Sequence, residues 1–274
     1  MTINCKGQLI NLAYPKIMGI LNITPDSFYD GGKYKNESDI LSQVEKMLTG
    51  GATFLDIGAY SSRPGADEVS EAQELKRIIP VVDLILKHFP TAMLSIDTFR
   101  SQVAKQCIAL GAAMINDISG GKRDAKMIQT IAKCNVPYIM MHMRGNPKTM
   151  QQKTDYEDLA KDMLFYFSER LAVTKSHGIK DVIIDPGFGF SKNLEQNYTL
   201  LKNLNLFKIT DCPLLVGISR KSMIYKLLGN TPSTALNGTT ALHMFALDQG
   251  ANILRVHDVK EARECVRLYE QLQA

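Results

Sequence analysis

Cysteine is sparse: Cys5, Cys107, Cys134, Cys212 and Cys265 are scattered through 274 residues. The count is odd and no two stand at metal or redox spacing. A disulfide framework and a structural zinc site are therefore excluded, and the thiols read as ordinary residues of a reducing compartment. The five histidines form no H-E-x-x-H pair. No apolar run approaches the ~18 residues that a membrane span needs. The opening M-T-I-N-C-K-G-Q lacks the basic and apolar regions of a signal peptide. A soluble, cytoplasmic protein with no membrane partner is expected. Charge of one sign is also missing: 32 Lys and Arg against 28 Asp and Glu leave a net +4. That balance shows no basic stripe for nucleic acid and leaves room for a small anionic ligand. No low-complexity linker divides the chain, so one domain over 1–274 is expected.

What is present is a repeated unit. Short β-branched apolar runs occur at 16–21, 53–57, 92–96, 112–115, 136–141, 181–184, 213–218 and 252–256. They lack polar alternation, as strands of a parallel sheet buried on both faces do. Amphipathic stretches at 38–48, 70–89, 101–110, 125–134, 156–177, 195–204 and 259–272 lie between or after them. Two further stretches, 221–228 and 234–249, follow the seventh run. Pro80 predicts a kink or a break in the second helix. Gly51-Ala52, Gly111-Ala112 and Gly250-Ala251 each close a helix and open a strand, the place for a left-handed residue. Eight such units point to an α/β fold, a (β/α)₈ TIM barrel, whose active site sits at the C-terminal strand ends. An open doubly wound sheet is the alternative, and no G-x-G-x-x-G after the first strand supports it.

The strand ends are polar: Asn22, Asp56, Asp97, Asn116-Asp117, His142, Asp185, Ser219 and His257. Asn22 opens N-I-T-P-D-S-F, a long loop after the first strand, and long loops on barrels are usually functional. The second strand leads into G-A-Y-S-S-R-P-G-A, where an arginine among serines and glycines suits an anion. Carboxylates at Asp97, Asp117 and Asp185 are costly in an apolar barrel unless paired. Acids on one rim suit a ligand with several N–H donors, such as a 2-amino-4-oxo ring. Ser219, Arg220, Lys221, Arg255 and His257 gather at strands seven and eight, where barrels often hold phosphate. Arg255 and His257, two apart, would share a strand face.

Together these motifs resemble the dihydropteroate synthases of the pterin-binding enzyme family. The likeness runs through I-M-G-I-L-N-I-T-P-D-S-F, F-L-D-I-G with S-S-R-P-G-A, and S-I-D-T-F-R. It continues through I-N-D-I-S-G-G, I-D-P-G-F-G-F, V-G-I-S-R-K-S and R-V-H-D, from Ile17 to His257. One departure is Ala59-Tyr60, where the family commonly has Gly-Glu. The resemblance implies a (β/α)₈ barrel that joins 6-hydroxymethyl-7,8-dihydropterin diphosphate to p-aminobenzoate in folate synthesis, with Mg²⁺ as cofactor. It also implies a homodimer and a target of sulfonamides.

Carried over by residue, the resemblance gives Asn22 to Mg²⁺ and the diphosphate. Asp97, Asn116, Asp185 and Lys221 would hold the pterin. Ser62, Arg63, Arg255 and His257 would bind the diphosphate. Phe28, Arg63, Pro64, Phe190, Lys221 and Ser222 would frame p-aminobenzoate, and Asp97, Lys221 and Arg63 would be catalytic. A pterin-dependent methyltransferase is the nearest rival, though it needs no diphosphate site. A Schiff-base aldolase would use Lys221, which in sequence has no evident acid–base partner. A non-catalytic pterin carrier is a third reading, opposed by the intact set of acids and cations.

Overall fold

The computed structural model describes residues 1–23, 37–60 and 69–273. Phe28, Ser62, Arg63 and Pro64 lie outside the described residues. Eight parallel strands form the barrel wall: β3 (Lys16–Asn22), β4 (Phe54–Gly58), β5 (Met93–Asp97), β6 (Met114–Asp117), β7 (Tyr138–Met141), β8 (Val182–Asp185), β9 (Leu215–Val216) and β10 (Ile253–Val256). Their spatial order is β8-β7-β6-β5-β4-β3-β10-β9. A single parallel bridge between Ile184 and Leu214 joins the two ends, so the sheet nearly closes and the open-sheet alternative falls. All eight expected runs are strands. The seventh is shorter than expected, because only Leu215 and Val216 pair in register with β10.

Helices α1 (Glu37–Thr49), α2 (Glu71–His88), α3 (Ser101–Leu110), α4 (Met127–Cys134), α5 (Leu159–Ser176) and α6 (Leu194–Lys202) follow the first six strands. After β9 come α7 (Ser222–Tyr225) and α8 (Leu236–Asp248), and α9 (Val259–Gln273) follows β10. The expected helix over 221–228 shrinks to the four residues of α7. Helix α2 runs through Pro80 without a break. Pro80 and Lys76 are both exposed, so the carbonyl that Pro80 orphans faces water and the cost to the helix is reduced. Ser70 and Gln73 cap its start reciprocally. The three Gly-Ala junctions do place glycine at φ of +99°, +111° and +101°.

The main apolar core lies between sheet and helices. A second cluster seals the N-terminal ends of the strands. It is built by an antiparallel hairpin, β1 (Thr2–Cys5) and β2 (Gln8–Asn11), that the strand pattern did not predict. Ile3, Cys5, Ile10 and Leu12 of this segment pack against Met18, Phe54, Met114, Ile183 and Ile253. With that end plugged, the opposite rim is where a ligand can enter.

Candidate active site

Parallel register sets the polar strand ends side by side. Asn22 pairs with Gly58, Gly58 with Asp97, and Asp97 with Asn116. Gly58 leaves a gap in this row. A Cβ there would lie 3.6 Å from both Asn22 Oδ1 and Asp97 Oδ2. Two hard oxygens thus border one space, and such donors suit Mg²⁺. No group of three His, Cys, Asp or Glu converges among the described residues. An ion here therefore fits only as one that keeps its waters and leans on substrate oxygens.

Arg255 crosses the barrel mouth behind that gap. Its Nε donates to Asp56 Oδ2 at 2.5 Å and its NH2 nitrogen to Asp97 Oδ2 at 2.9 Å. Asp56 is fully buried and also accepts from Ser95 Oγ at 2.6 Å and Asn116 Nδ2 at 3.0 Å. One guanidinium therefore serves two carboxylates, and Asp97 is the one turned toward the opening. Burial pushes the Asp97 carboxyl up to about 7; Arg255 opposes the rise and Asp56 adds to it. A carboxylate so placed is poised to meet positive charge on a ligand.

Asp185 and Lys221 form the opposite wall. Burial raises the Asp185 carboxyl, with Lys221 opposing, and Gly187 N donates to it at 2.7 Å. Burial lowers the Lys221 ammonium to about 8, with Asp185 opposing and Arg255 assisting. Lys221 Nζ donates to the Phe188 carbonyl and stands 4.8 Å from the Phe190 ring centroid. The lysine without an evident partner in sequence thus shares its field with Asp185 and Asp97. Ser222 follows it and opens α7.

The strand seven–eight cluster divides. Arg255 lies within β10, whereas His257 lies beyond its end and is exposed. His257 Nδ1 is 3.1 Å from Ser219 Oγ, and its backbone N–H donates to the same oxygen at 3.2 Å. Arg220 is structural: it makes a two-pronged ion pair with Asp258 at 2.7 and 2.8 Å and ties down the carbonyls of Pro232 and Ser233.

The structure thus brings Asn22, Asp97, Asn116, Asp185, Lys221, Phe190 and Arg255 to one rim. Asp117, the third acid of the sequence pattern, does not join them. It accepts from Ser119 N and Oγ, Gly121 N and Tyr138 Oη, all within 2.8 Å, and so fixes its own turn. Asp56 was read in the sequence as a polar strand end but had no assigned role. His142 was likewise a strand end without a role, and Lys192, buried against it, was missed. Tyr60, the departure from the family pattern, packs edge-on against Phe99 at 5.2 Å and lies under Arg100.

Comparisons with known proteins agree with this geometry. The pterin binding enzyme family matches residues 18–257. The chain belongs to the dihydropteroate synthase group of that family. It is 44% identical to dihydropteroate synthase of Escherichia coli strain K12, covering 98% of this chain and 96% of that protein. A dihydropteroate synthase of Yersinia pestis, solved with a sulfonamide drug complex, superposes with a TM-score of 0.94 at 42% identity, over 100% of this chain and 99% of that one. The Xanthomonas albilineans enzyme in complex with 7,8-dihydropteroate superposes with a TM-score of 0.88 at 33% identity, over 100% and 99%. No helix among the described residues of this dihydropteroate synthase is long and apolar enough to cross a membrane.

Proposed function

We infer that this protein condenses 6-hydroxymethyl-7,8-dihydropterin diphosphate with p-aminobenzoate to give 7,8-dihydropteroate and pyrophosphate. The observation that carries this reading is the rim itself: Asp97 with Asn116 and Arg255 on one wall, Asp185 and Lys221 on the other. A reduced pterin offers N–H donors and a ring that accepts positive charge. Asp185 and Asn116 suit its amino-pyrimidine edge, and Lys221 suits its ring oxygen or nitrogen.

The methylene–oxygen bond breaks and its electron pair leaves with pyrophosphate. Positive charge then spreads into the pterin beside Asp97, which is already placed and desolvated. This is electrostatic stabilisation without reorganisation at the moment of reaction. The aryl amine attacks the methylene carbon, forms the C–N bond and releases one proton. No protein nucleophile is needed. Asn22 is the described residue that would hold Mg²⁺; when bound, the ion neutralises charge on the leaving diphosphate. His257, exposed beside Ser219, suits a diphosphate oxygen. Ser62, Arg63, Pro64 and Phe28 complete the proposed diphosphate and p-aminobenzoate sites, and sulfonamides would compete for the latter.

We also propose a homodimer. Leu268 and Leu272 are exposed one turn apart on α9, and neighbouring α8 exposes Phe245. Sedimentation at micromolar concentration tests it, and a monomer throughout overturns it. The activity is tested by incubating the protein with pterin diphosphate, p-aminobenzoate and Mg²⁺ and identifying the product by mass. Pyrophosphate release with dihydropteroate supports the reading. Methyl transfer from a methylated reduced pterin, with no dihydropteroate, would replace it by the methyltransferase reading.

A further inference from the structure

Lys192 is 3% exposed and, among the described residues, has no carboxylate within ion-pairing distance. Its chain curls back under the segment that precedes it. Nζ donates to the Gly187 carbonyl at 3.0 Å and the Phe190 carbonyl at 3.0 Å, and lies 3.2 Å from His142 Nδ1. An ammonium has three N–H donors, and here there are three acceptors. Burial and the charge of Lys192 keep His142 neutral, so Nδ1 accepts and the ring proton sits on Nε2. Burial also draws Lys192 down to about 7, opposed by Asp185. Both carbonyl bonds survive loss of the third proton.

The segment holds itself by a single turn bond, Phe190 N to the Gly187 carbonyl at 3.1 Å. Gly187, Gly189 and Ser191 have φ of +72°, +80° and +50°, three left-handed residues in alternation. A left-handed serine is a strained one. Its other bonds are Gly187 N to Asp185 Oδ1 at 2.7 Å, Gly189 N to Asn197 Oδ1 at 2.7 Å, Gln151 Nε2 to the Gly189 carbonyl at 3.3 Å, and Ser191 Oγ with the Arg144 backbone at 2.7 and 3.0 Å. On the cleft side Lys221 takes the Phe188 carbonyl. The carbonyls of residues 187, 188 and 190 are thus drawn by two lysines, two from beneath and one from the site.

We propose that Lys192 is a positioning residue. From beneath, and anchored on His142, it sets the 187–190 backbone so that Phe190 meets p-aminobenzoate. It touches neither substrate, and its assigned effect passes through Phe190 and the Phe188 carbonyl. The assignment rests on the synthase reading for its kinetic consequence, but its structural consequence is independent of that reading.

The test is Lys192→Met, which keeps length and loses the donors. The expected result is a KM for p-aminobenzoate raised at least tenfold with kcat within threefold of wild type, because Phe190 is displaced while the reacting groups remain. A merely structural role would instead lower the active fraction, and so kcat, with KM unchanged; that result overturns the proposal. His142→Asn retains an acceptor near the Nδ1 position and should keep the wild-type KM. His142→Leu, with no acceptor, should copy Lys192→Met. Equal behaviour of the two His142 variants overturns the anchor, and this pair decides the matter if Lys192→Met fails to fold. Hydrogen exchange separates the two readings. The amides of residues 187–191 should exchange at least tenfold faster in Lys192→Met or His142→Leu, while those of α6 stay protected. Wild-type protein that makes no dihydropteroate, with this exchange pattern intact, sinks the synthase reading alone. Unchanged exchange sinks the positioning role.

Discussion

At the N-terminal ends of the strands the hairpin packs Ile3, Ile10 and Leu12 against Met18, Phe54 and Ile253. At the C-terminal ends the same strands bury Asp56, Asn116 and Asp185 and half-bury Asp97 and Arg255. The first arrangement gains stability from burial. The second loses it, and recovers only part through Arg255. Two aspartates sharpen the contrast. Asp117 is surrounded by neutral donors that satisfy it fully, whereas Asp97 shares one guanidinium with Asp56. A buried acid with its own donors is a structural part. A buried acid left short of donors is waiting for a ligand.

Four substitutions would break or refine this comparison. The largest effect belongs to Arg255→Ala, which strands Asp56 without its cation. Removing one partner of a buried pair typically costs ~3–5 kcal/mol. The melting temperature should fall, and affinity for free pterin and for pterin diphosphate should fall together. A variant of wild-type stability that loses only diphosphate affinity would show Arg255 to be a phosphate ligand instead.

Asp97→Asn should do the opposite to stability. Its carboxyl stands near 7 in the folded protein against an ordinary 3.8. The folded state therefore keeps a proton that the unfolded chain releases. Below pH ~4 both forms are protonated and the variant should match wild type. As pH rises from ~4 through ~7 the wild type loses stability and the variant does not, a gap on the order of 2 kcal/mol at pH 8. Turnover should fall ~100- to 1,000-fold, as when a preorganised charge stabiliser is removed. Denaturant melts at pH 4 and 8 with turnover measured alongside check this. A variant less stable than wild type at pH 8 would count against it.

Ile3→Ala should cost ~3 kcal/mol by emptying a site in the plug, with turnover per folded molecule unchanged. A change in KM would mean that the two ends are coupled. The smallest effect is expected for His257→Ala: a loss of ~1 kcal/mol in diphosphate affinity, none in free-pterin affinity, and no change in melting temperature, because the residue is exposed. Calorimetric titration of the two ligands checks it.

Sequence alone carried the eight strands, because burial on both faces forces continuous β-branched runs and amphipathic stretches separate them. It carried the Gly-Ala junctions, because only glycine adopts their left-handed turn cheaply. It also carried most of the rim, since a polar residue ending an apolar strand has few places to go. It missed the hairpin, whose four-residue strands are too short to show a period. It read Pro80 as a kink or a break, and the break did not occur, because a pattern cannot tell which side of a helix faces water.

Only the tertiary structure decided which polar residues act as a unit. Asp56, Asp97 and Asp117 look alike along the chain, each closing a similar strand. Their difference is made by Arg255, Ser119 and Tyr138, up to 199 positions away. Lys192 likewise reads as a surface lysine before a helix cap, until the fold places His142 above it. Sequence determined which side chains reach the rim, because side-chain alternation along a strand is periodic and local. Structure decided which of them are satisfied there, because a buried charge is paired through space and not along the chain.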